Sequence, residues 1–304
     1  RANTLTAQAF DLKVFFTVVP KAPQQVTVTD VLLFIEAQRA PRRGGNVIRL
    51  ADGEAGLAAS TIKRRLATVS SLFDYLFLRG ICDRNPVPRS LGARHARPDG
   101  RGHGGRRGAP LVRAPRKLPR VLAPAEVGAL TGALRTDRDR AMVALMVHGG
   151  LRRCEVLGLR FEHVQVGDRR VFVADGKGGH QRLVPVADVF FTTLASYLSG
   201  ERPAEAVDDH VFVVLKGPNR GRPLTAAGLD EVMAGARGRA GLSHASCHEL
   251  RHTCFTRLRE AGMALEAIQA QAGHASIETT RVYLHLSNDW LAGEYQRAMA
   301  ILDG

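Results

Sequence analysis

Four short segments in the second half of the chain hold side chains whose types and spacing suit binding of an anion. In HGGLRRCEVLGLR, Arg152 follows the Gly149-Gly150 break at the start of an expected helix, where backbone N–H groups and a guanidinium fork can face one negative group. In DGKGGHQR, glycines permit a tight turn with Lys177 at its tip. Taken singly, Arg152 has the alternative of a surface arginine in an ordinary helix, and a solvated turn lysine is the better-supported interpretation of Lys177.

The other two segments add histidines and a tyrosine. CHELRHTCFTRL places Arg251 three residues after His248, so both belong to one face of a helix. QAGHASIETTRVYLH holds His274 and, nine residues later, Tyr283. A free tyrosine has a pKa of about 10, so a nucleophilic tyrosine requires a cationic site that stabilises the developing phenolate.

The HELRH segment also matches the H-E-x-x-H signature of zinc hydrolases. In that interpretation His248 and His252 are metal ligands and Glu249 is the base. The extended signature fails, because Phe255 and Leu258 stand where it has Gly and His. The arginine between the two histidines would also place a cation one turn from Zn²⁺, so zinc is the minor alternative.

Composition narrows the class of protein. The 304 residues include 43 Lys and Arg against 29 Asp and Glu, a net charge of +14 and a pI near 10.6, which favours a polyanionic partner such as nucleic acid. The 45% apolar content excludes a largely disordered chain, and no apolar run reaches the ~18 residues of a membrane span. The opening residues do not resemble a secretion signal, and four scattered cysteines favour a reducing cytoplasm.

A basic stretch divides the chain. Residues 86–120 hold ten Lys and Arg, one Asp, six Gly and six Pro, which is +9 of the net charge. Such a stretch can bury little and favours no regular helix, so we expect an exposed linker over 89–117 between domains at 1–88 and 118–304. An inert spacer is one alternative; a cationic strap along a phosphate backbone is the other.

Hydrophobic periodicity predicts a helical bundle before the linker. Helices are expected over 4–18, over 30–38 with Thr29 as N-cap, and over 60–80 from Ser60. The third helix carries an apolar stripe of Ile62, Leu66, Val69, Phe73 and Leu76. Its other faces hold three bases that by charge alone form a solvated surface: Lys63, Arg64 and Arg65.

The pattern after the linker is mixed. Helices are expected over 122–134, 137–148 and 151–159, and again from 226 onward. Within 164–186, VFVA and RLVPV flank the turn DGKGGH and predict a β-hairpin. The fold class is therefore mainly α with a small β-sheet.

Three other tyrosines are candidates for a nucleophile besides Tyr283. Tyr75 lies on the third helix and Tyr197 in an apolar run, so both are expected in the core. Tyr295 is the stronger rival, although its helix carries an apolar stripe typical of packing. The apolar stripe of this last helix, with Trp290 near its start, fits packing on its own domain.

In their order along the chain, these motifs resemble those of the tyrosine recombinases, or phage integrases. NTLTAQAFDLKVFF and STIKRRLATVSSLFDYLFLRGICDRNPV resemble the family's core-binding domain, and LPRVLAPAEVGAL resembles the entry to its catalytic domain. GLRRCEVLGL, GKGGHQRLVPV, HELRHTCFTRL and GHASIETTRVYLH then match in order. The resemblance implies a SAM-like helical core DNA-binding bundle over 1–88 and an α+β catalytic domain over 118–304, closed around DNA as a C-shaped clamp.

The resemblance also implies a phosphate-binding set. Arg152 and Arg251 would clamp the non-bridging oxygens of the scissile phosphate. His248 and His274 would hydrogen-bond the same phosphate and assist proton transfer. Two arginine forks and two histidines supply positive charge at the transition state without a metal.

Four further positions follow from the same resemblance. Lys177 would be the general acid for the leaving 5′-oxygen, and Tyr283 would be the nucleophile. Glu155 would orient Arg152 without reacting, and His252 would pack or form a hydrogen bond. Ala272 departs from the usual leucine before Gly-His, a change that concerns packing more than chemistry.

The implied activity is site-specific DNA recombination of the integrase or transposase type through a 3′-phosphotyrosine, with no cofactor. Expected partners are double-stranded recombination sites, further copies of the chain in a tetramer and accessory DNA-bending proteins, with no membrane. The resemblance also implies docking of the last helix on a neighbouring protomer as the alternative to packing on its own domain. The expected location is the bacterial nucleoid in the cytoplasm. The alternatives are a DNA-binding protein without catalysis and a zinc hydrolase. Six residues are expected to contact DNA, namely Lys63, Arg64, Arg106, Arg107, Arg116 and Lys117.

Overall fold

A computed structural model describes residues 2–40, 56–88, 111–113, 120–174, 181–206 and 208–273. The chain divides into two compact units, Arg1–Lys117 and Leu118–Gly304, each with its own apolar core. Within these described ranges, no helix is long and apolar enough to cross a membrane. The expected last helix, with Trp290 and Tyr295, lies outside them.

The described residues of the first unit form three helices, α1 (Ala2–Val18), α2 (Val28–Arg39) and α3 (Ala59–Leu78), with a 3₁₀ turn at Pro23–Gln25. The expected cap of α2 is wrong by two positions. Thr27 is the N-cap, and its backbone N–H donates to the Asp30 carboxylate at 2.9 Å. The expected cap of α3 is wrong as well, because Ala58 holds that position without a side-chain hydrogen bond.

The expected stripe of α3 faces the core of the first unit. Its first four members are buried, and Leu76 packs against them half-buried. The ring of Phe15 meets those of Phe34 and Phe73 edge to face, with centroids 5.0 and 6.3 Å apart. Tyr75 contradicts its prediction: it is 53% exposed, because it lies two residues from Phe73 on another face of the helix.

The second unit contains seven described helices: α4 (Pro124–Gly132), α5 (Asp137–Val147), α6 (Arg153–Leu157), α7 (Asp188–Gly200), α8 (Ala226–Arg239), α9 (Cys247–Glu260) and α10 (Leu265–Ala272). The core centres on α5, which packs against α7 and α9. Helix α7 was not predicted from the sequence, although Tyr197 on it is fully buried as expected.

A small antiparallel sheet completes the second unit. Its strands are β1 (Val164–Gln165), β2 (Arg170–Val173) and β3 (Arg182–Pro185), in the order β1-β2-β3. The expected hairpin is confirmed, with Val173 paired to Arg182 across β2 and β3. On β3 the side chains of residues 182 and 184 face inward, while 183 and 185 are exposed.

Candidate active site

A fully buried carboxylate, that of Glu155, organises the candidate site. It lies on α6 and is contacted by three guanidinium groups, those of Arg152, Arg182 and Arg251. Burial by itself raises the pKa of Glu155, but hydrogen bonds from Arg182 and from the Arg152 backbone, with the charges of both arginines, outweigh burial and lower it. Glu155 is therefore held as a carboxylate among cations.

Arg152 occupies the N-cap position of α6. Its backbone N–H donates to Glu155 Oε2 at 2.8 Å, and its Nη1 donates to Oε1 at 2.8 Å. The Arg152 side chain remains 21% exposed, whereas that of Glu155 has no exposure. Glu155 thus holds one edge of a guanidinium that still reaches the surface, which is the contact its expected orienting role requires.

Arg251 is buried on α9 and is positioned by backbone atoms. Its Nη1 donates to the Gly150 carbonyl oxygen, and its Nη2 donates to the Ala272 carbonyl oxygen at 2.7 Å. Its guanidinium carbon lies 4.8 Å from the centre of the Phe255 ring. Buried Ala272, which replaces the expected leucine, therefore contributes a backbone acceptor at this site.

His248 and His252 form a pair one turn apart on α9. Their Nε2 atoms are 2.8 Å apart and their rings meet edge to face, so one imidazole donates to the other. Burial, together with the charges of Arg251 and Arg152, lowers the pKa of His248. Burial and the neighbouring His248 and Arg251 lower the pKa of His252 to about 4. Both rings are therefore neutral near pH 7.

Glu249 caps the start of α9, which differs from the role of a general base in a zinc hydrolase. Its Oε2 accepts a hydrogen bond from the backbone N–H of Ser246 at 2.7 Å, and the Ser246 hydroxyl accepts one from the Glu249 N–H in a capping box. Among the described residues, the one cluster of three possible metal-ligating groups is Asp208, Asp209 and His210. No residue of the HELRH segment belongs to this cluster.

Three expected catalytic residues, Lys177, His274 and Tyr283, lie outside the described residues. Segments next to two of these residues reach the group formed by Glu155 with Arg152, Arg182 and Arg251, which we name the Glu155 cluster. β3 begins at Arg182, five residues after Lys177. α10 ends at Ala272, and its C-cap Gly273 is the residue before His274; at Gly273 φ is +60° and a Cβ would lie 3.0 Å from Arg182 Nη1.

Sequence reasoning missed Arg182 and Gln271. Arg182 donates to both Glu155 oxygens, and Gln271 donates from Nε2 to the Gly149 carbonyl oxygen at 3.3 Å. A signal for Arg182 existed, because strand alternation places it on the same face of β3 as buried Val184. Gln271 gave no such signal.

Two of the six expected DNA contacts lie in the described part of the first unit. Lys63 is exposed on α3, and Arg64 is exposed but pairs with buried Asp11 on α1. Arg65 contradicts the expected solvated face, because it is buried against Asp11 and Gln38. The other four, Arg106, Arg107, Arg116 and Lys117, lie outside the described residues. Val112 falls within the linker expected over 89–117, but it is buried against the core of the first unit.

A basic cavity of about 720 Å³ lies elsewhere in the second unit. Its lining includes Arg135, Arg138, Lys216, Arg222 and Arg239, and none of the expected catalytic residues that the structure describes. Its buried cation, Arg138, already pairs with Asp139 at 2.7 Å. The cavity is therefore separate from the Glu155 cluster.

Comparisons with known proteins agree with this architecture. Residues 120–289 match the model of the phage integrase family. The tyrosine recombinase XerC of Yersinia pestis is 31% identical over 249 residues, which is 80% of this chain and 74% of that protein. XerC of Serratia marcescens is 28% identical over 93% of this chain and 85% of its own length.

A solved structure of similar fold is the Tn1549 transposon integrase in complex with circular intermediate DNA. It aligns with a TM-score of 0.70 at 17% identity, over 97% of this chain and 94% of the other. The chain belongs to the phage integrase family of tyrosine recombinases and is a site-specific DNA recombinase, an enzyme that transfers DNA strands. The resemblance and the fold class expected from the sequence are thereby confirmed.

Proposed function

We propose that this recombinase cuts and rejoins duplex DNA through a 3′-phosphotyrosine formed on Tyr283, with Arg152, Lys177, His248, Arg251 and His274 as its catalytic residues. The observation that carries the proposal is the Glu155 cluster. It gathers Arg152 and Arg251 around one buried carboxylate, with the neutral His248 electrostatically coupled to both arginines.

The cluster supplies positive charge where a phosphodiester gains negative charge. Three guanidinium groups against one carboxylate leave a local excess of two positive charges. In the proposed mechanism, Arg152 and Arg251 hold the non-bridging oxygens and stabilise the pentavalent transition state. Because Arg251 is anchored to two backbone carbonyls, little reorganisation is needed when DNA arrives.

Cleavage then proceeds by in-line displacement. The Tyr283 oxygen forms a bond to phosphorus while the bond from phosphorus to the 5′-oxygen breaks. The phenolic proton leaves to a neutral histidine, and the lowered pKa of His248 keeps that ring neutral near pH 7 and able to accept it. Lys177 gives a proton to the leaving 5′-oxygen. A 5′-hydroxyl of a second duplex reverses these steps and joins new ends without a nucleotide cofactor.

The finer assignments are part of the same proposal. The substrates are recombination sites in double-stranded DNA, synapsed by a tetramer with help from DNA-bending proteins, in the bacterial cytoplasm. The activity is of the integrase or transposase type. Lys63 and Arg64 on α3, with Arg106, Arg107, Arg116 and Lys117, contact the DNA backbone. Affinity should then fall steeply with salt, by a log–log slope of about −0.9 for each phosphate neutralised.

The test uses nicked suicide duplexes that carry the ends of the DNA element encoding the chain. The protein is incubated with them in EDTA and separated on a denaturing gel. We expect a covalent protein–DNA band with the wild type and none with Tyr283→Phe. Tyr75→Phe is the matched control, because Tyr75 is exposed in the first unit and should leave the band intact.

Each other outcome points to a different alternative. A band that persists in Tyr283→Phe moves the nucleophile, with Tyr295 next to be changed. Binding of the duplex without any covalent band favours the DNA-binding protein that has lost catalysis. Activity that disappears with EDTA and returns with Zn²⁺ favours the zinc hydrolase.

A further inference from the structure

Arg182 has an acceptor for every nitrogen of its guanidinium. Nη1 and Nη2 donate to the two oxygens of Glu155 at 3.1 and 2.9 Å, and Nε donates to the Gln271 carbonyl oxygen at 2.8 Å. The side chain is only 9% exposed. A planar fork that spans two carboxylate oxygens is a geometry that lysine cannot supply.

These three bonds join three segments that each carry an expected catalytic residue. Glu155 lies three residues after Arg152, and Arg182 lies five residues after Lys177. Gln271 lies three residues before His274, and the backbone of Gly273 turns directly over the Arg182 side chain. One side chain on β3 thus contacts both α6 and the end of α10.

We infer that Arg182 is a positioning residue for recombination, which holds Glu155 and the end of α10 so that Arg152 stays directed at the scissile phosphate. The inference rests on the proposed function. An ionised carboxylate offers about four acceptor sites, and Arg182 occupies one on each oxygen. Without Arg182, the nearest donors for these buried sites are Arg152 and Arg251, and either would be drawn away from the phosphate.

The second unit offers a matched control for this buried arginine. Arg138 also donates twice to one carboxylate, that of Asp139, and once to a backbone carbonyl, that of Val213. Its side chain is likewise 9% exposed. Within the described part of the chain it contacts no expected catalytic residue, so Arg138→Met should reproduce the structural cost of Arg182→Met without its effect on chemistry.

The first experiment measures unfolding and needs no DNA. Wild type, Arg182→Met, Glu155→Gln and the double variant are unfolded in urea. We expect the double variant to be no less stable than Arg182→Met, because Glu155→Gln removes the charge that Arg182 neutralised. Strictly additive losses of stability would show that the two side chains are not coupled and would overturn the inference.

The second experiment measures single-turnover cleavage at saturating protein, below the unfolding temperature of every variant. On the suicide duplex cut by wild type, Arg182→Met should cleave about 10- to 100-fold more slowly, with DNA affinity within about threefold of wild type. Arg182→Lys should recover only part of the rate. Arg138→Met should cleave at the wild-type rate.

A methylphosphonate at the scissile position separates positioning of the arginine clamp from general damage. This neutral group has lost one charged oxygen, so it gains less from the clamp. The rate ratio of wild type to Arg182→Met should therefore shrink on this duplex, as it should for Arg152→Ala. An unchanged ratio, or an equal loss in Arg138→Met, would contradict the inference. Absence of any wild-type covalent complex would instead contradict the proposed function, while the unfolding cycle would still decide the coupling.

Discussion

Arg251 donates a hydrogen bond from Nη1 to the backbone carbonyl oxygen of Gly150, 101 residues earlier in the chain. This bond ties the turn before Arg152 to helix α9, which also carries His248. Because the acceptor is backbone, the position of the buried arginine depends on the path of the Gly149-Gly150 turn. The geometry of the candidate site is therefore sensitive to changes in this turn.

Gly150→Ala should destabilise the second unit. Gly150 has φ of +67°, and a Cβ there would lie 2.4 Å from Phe255 Cζ. Strain in the left-handed region and the clash together should cost about 2 kcal/mol or more. Urea unfolding measures this change. The control is Gly128→Ala at an exposed position of α4, where the Cβ meets nothing within 4 Å and stability should rise by about 0.5–1 kcal/mol. Unchanged stability of Gly150→Ala would contradict the described turn.

Glu155→Gln should cost stability in a way that depends on pH. The folded pKa of Glu155 lies below its ordinary value of 4.5, so its stabilising contribution is present above pH 4.5 and is lost as pH falls below that value. Breaking a buried charge cluster should cost about 3 kcal/mol at pH 7. The difference from wild type, measured by urea unfolding, should narrow toward pH 3.5. A constant difference across this range would contradict a buried, ionised Glu155.

His252 should make the protein less stable as the solution is acidified. The unfolded chain protonates this histidine below about pH 6.5, whereas the folded chain does so only near pH 4. Protonation therefore favours unfolding as pH falls between these values. His252→Gln, followed by thermal unfolding between pH 7 and 4.5, should show a smaller decline than wild type. Parallel declines in both proteins would exclude a half-buried, neutral His252.

The thiols should differ sharply in reactivity. Cys154 is exposed on α6, whereas Cys82, Cys247 and Cys254 are buried. Burial raises the pKa of Cys247, and it raises the pKa of Cys254 to about 12. A disulfide reagent such as DTNB should therefore titrate one fast thiol in the native protein, which Cys154→Ser removes. Because Cys154 lies two residues from Arg152, bound DNA should slow its labelling. Two or more fast thiols would contradict the described packing.

Local sequence patterns correctly predicted those helices and strands whose hydrophobic residues repeat with one regular spacing. The stripe at Ile62, Leu66, Val69 and Phe73 is buried because steps of three and four residues keep one helical face inward. The hairpin was predicted from alternation on both sides of a glycine-rich turn. Helix α7 was missed, although Phe190, Leu194 and Tyr197 repeat at steps of four and three, because its β-branched and aromatic residues obscure the period.

Contacts between distant segments could not be predicted in the same way. Glu155 and Arg182 are 27 residues apart, and Arg65 and Gln38 are also 27 residues apart. An arginine in a strand or on a basic helix face is ordinarily solvated, so burial of Arg182 and Arg65 depends on partners that no local period reveals. The roles of Arg152 and Arg251, and the pairing of Glu155 with Arg152, came from the resemblance, whereas the contacts of the Glu155 carboxylate with Arg182 and Arg251 came from the structure.

The most direct test of the account identifies the residue and the DNA end in the covalent complex. The complex with a suicide duplex is digested with nuclease and trypsin, and the adduct is located by fragmentation mass spectrometry. The tryptic peptide VYLHLSNDWLAGEYQR contains both Tyr283 and Tyr295, so fragment ions must separate them. We predict a nucleotide joined through its 3′-phosphate to Tyr283. An adduct on Tyr295, a 5′-phosphate linkage, or cut DNA without any adduct would contradict the account.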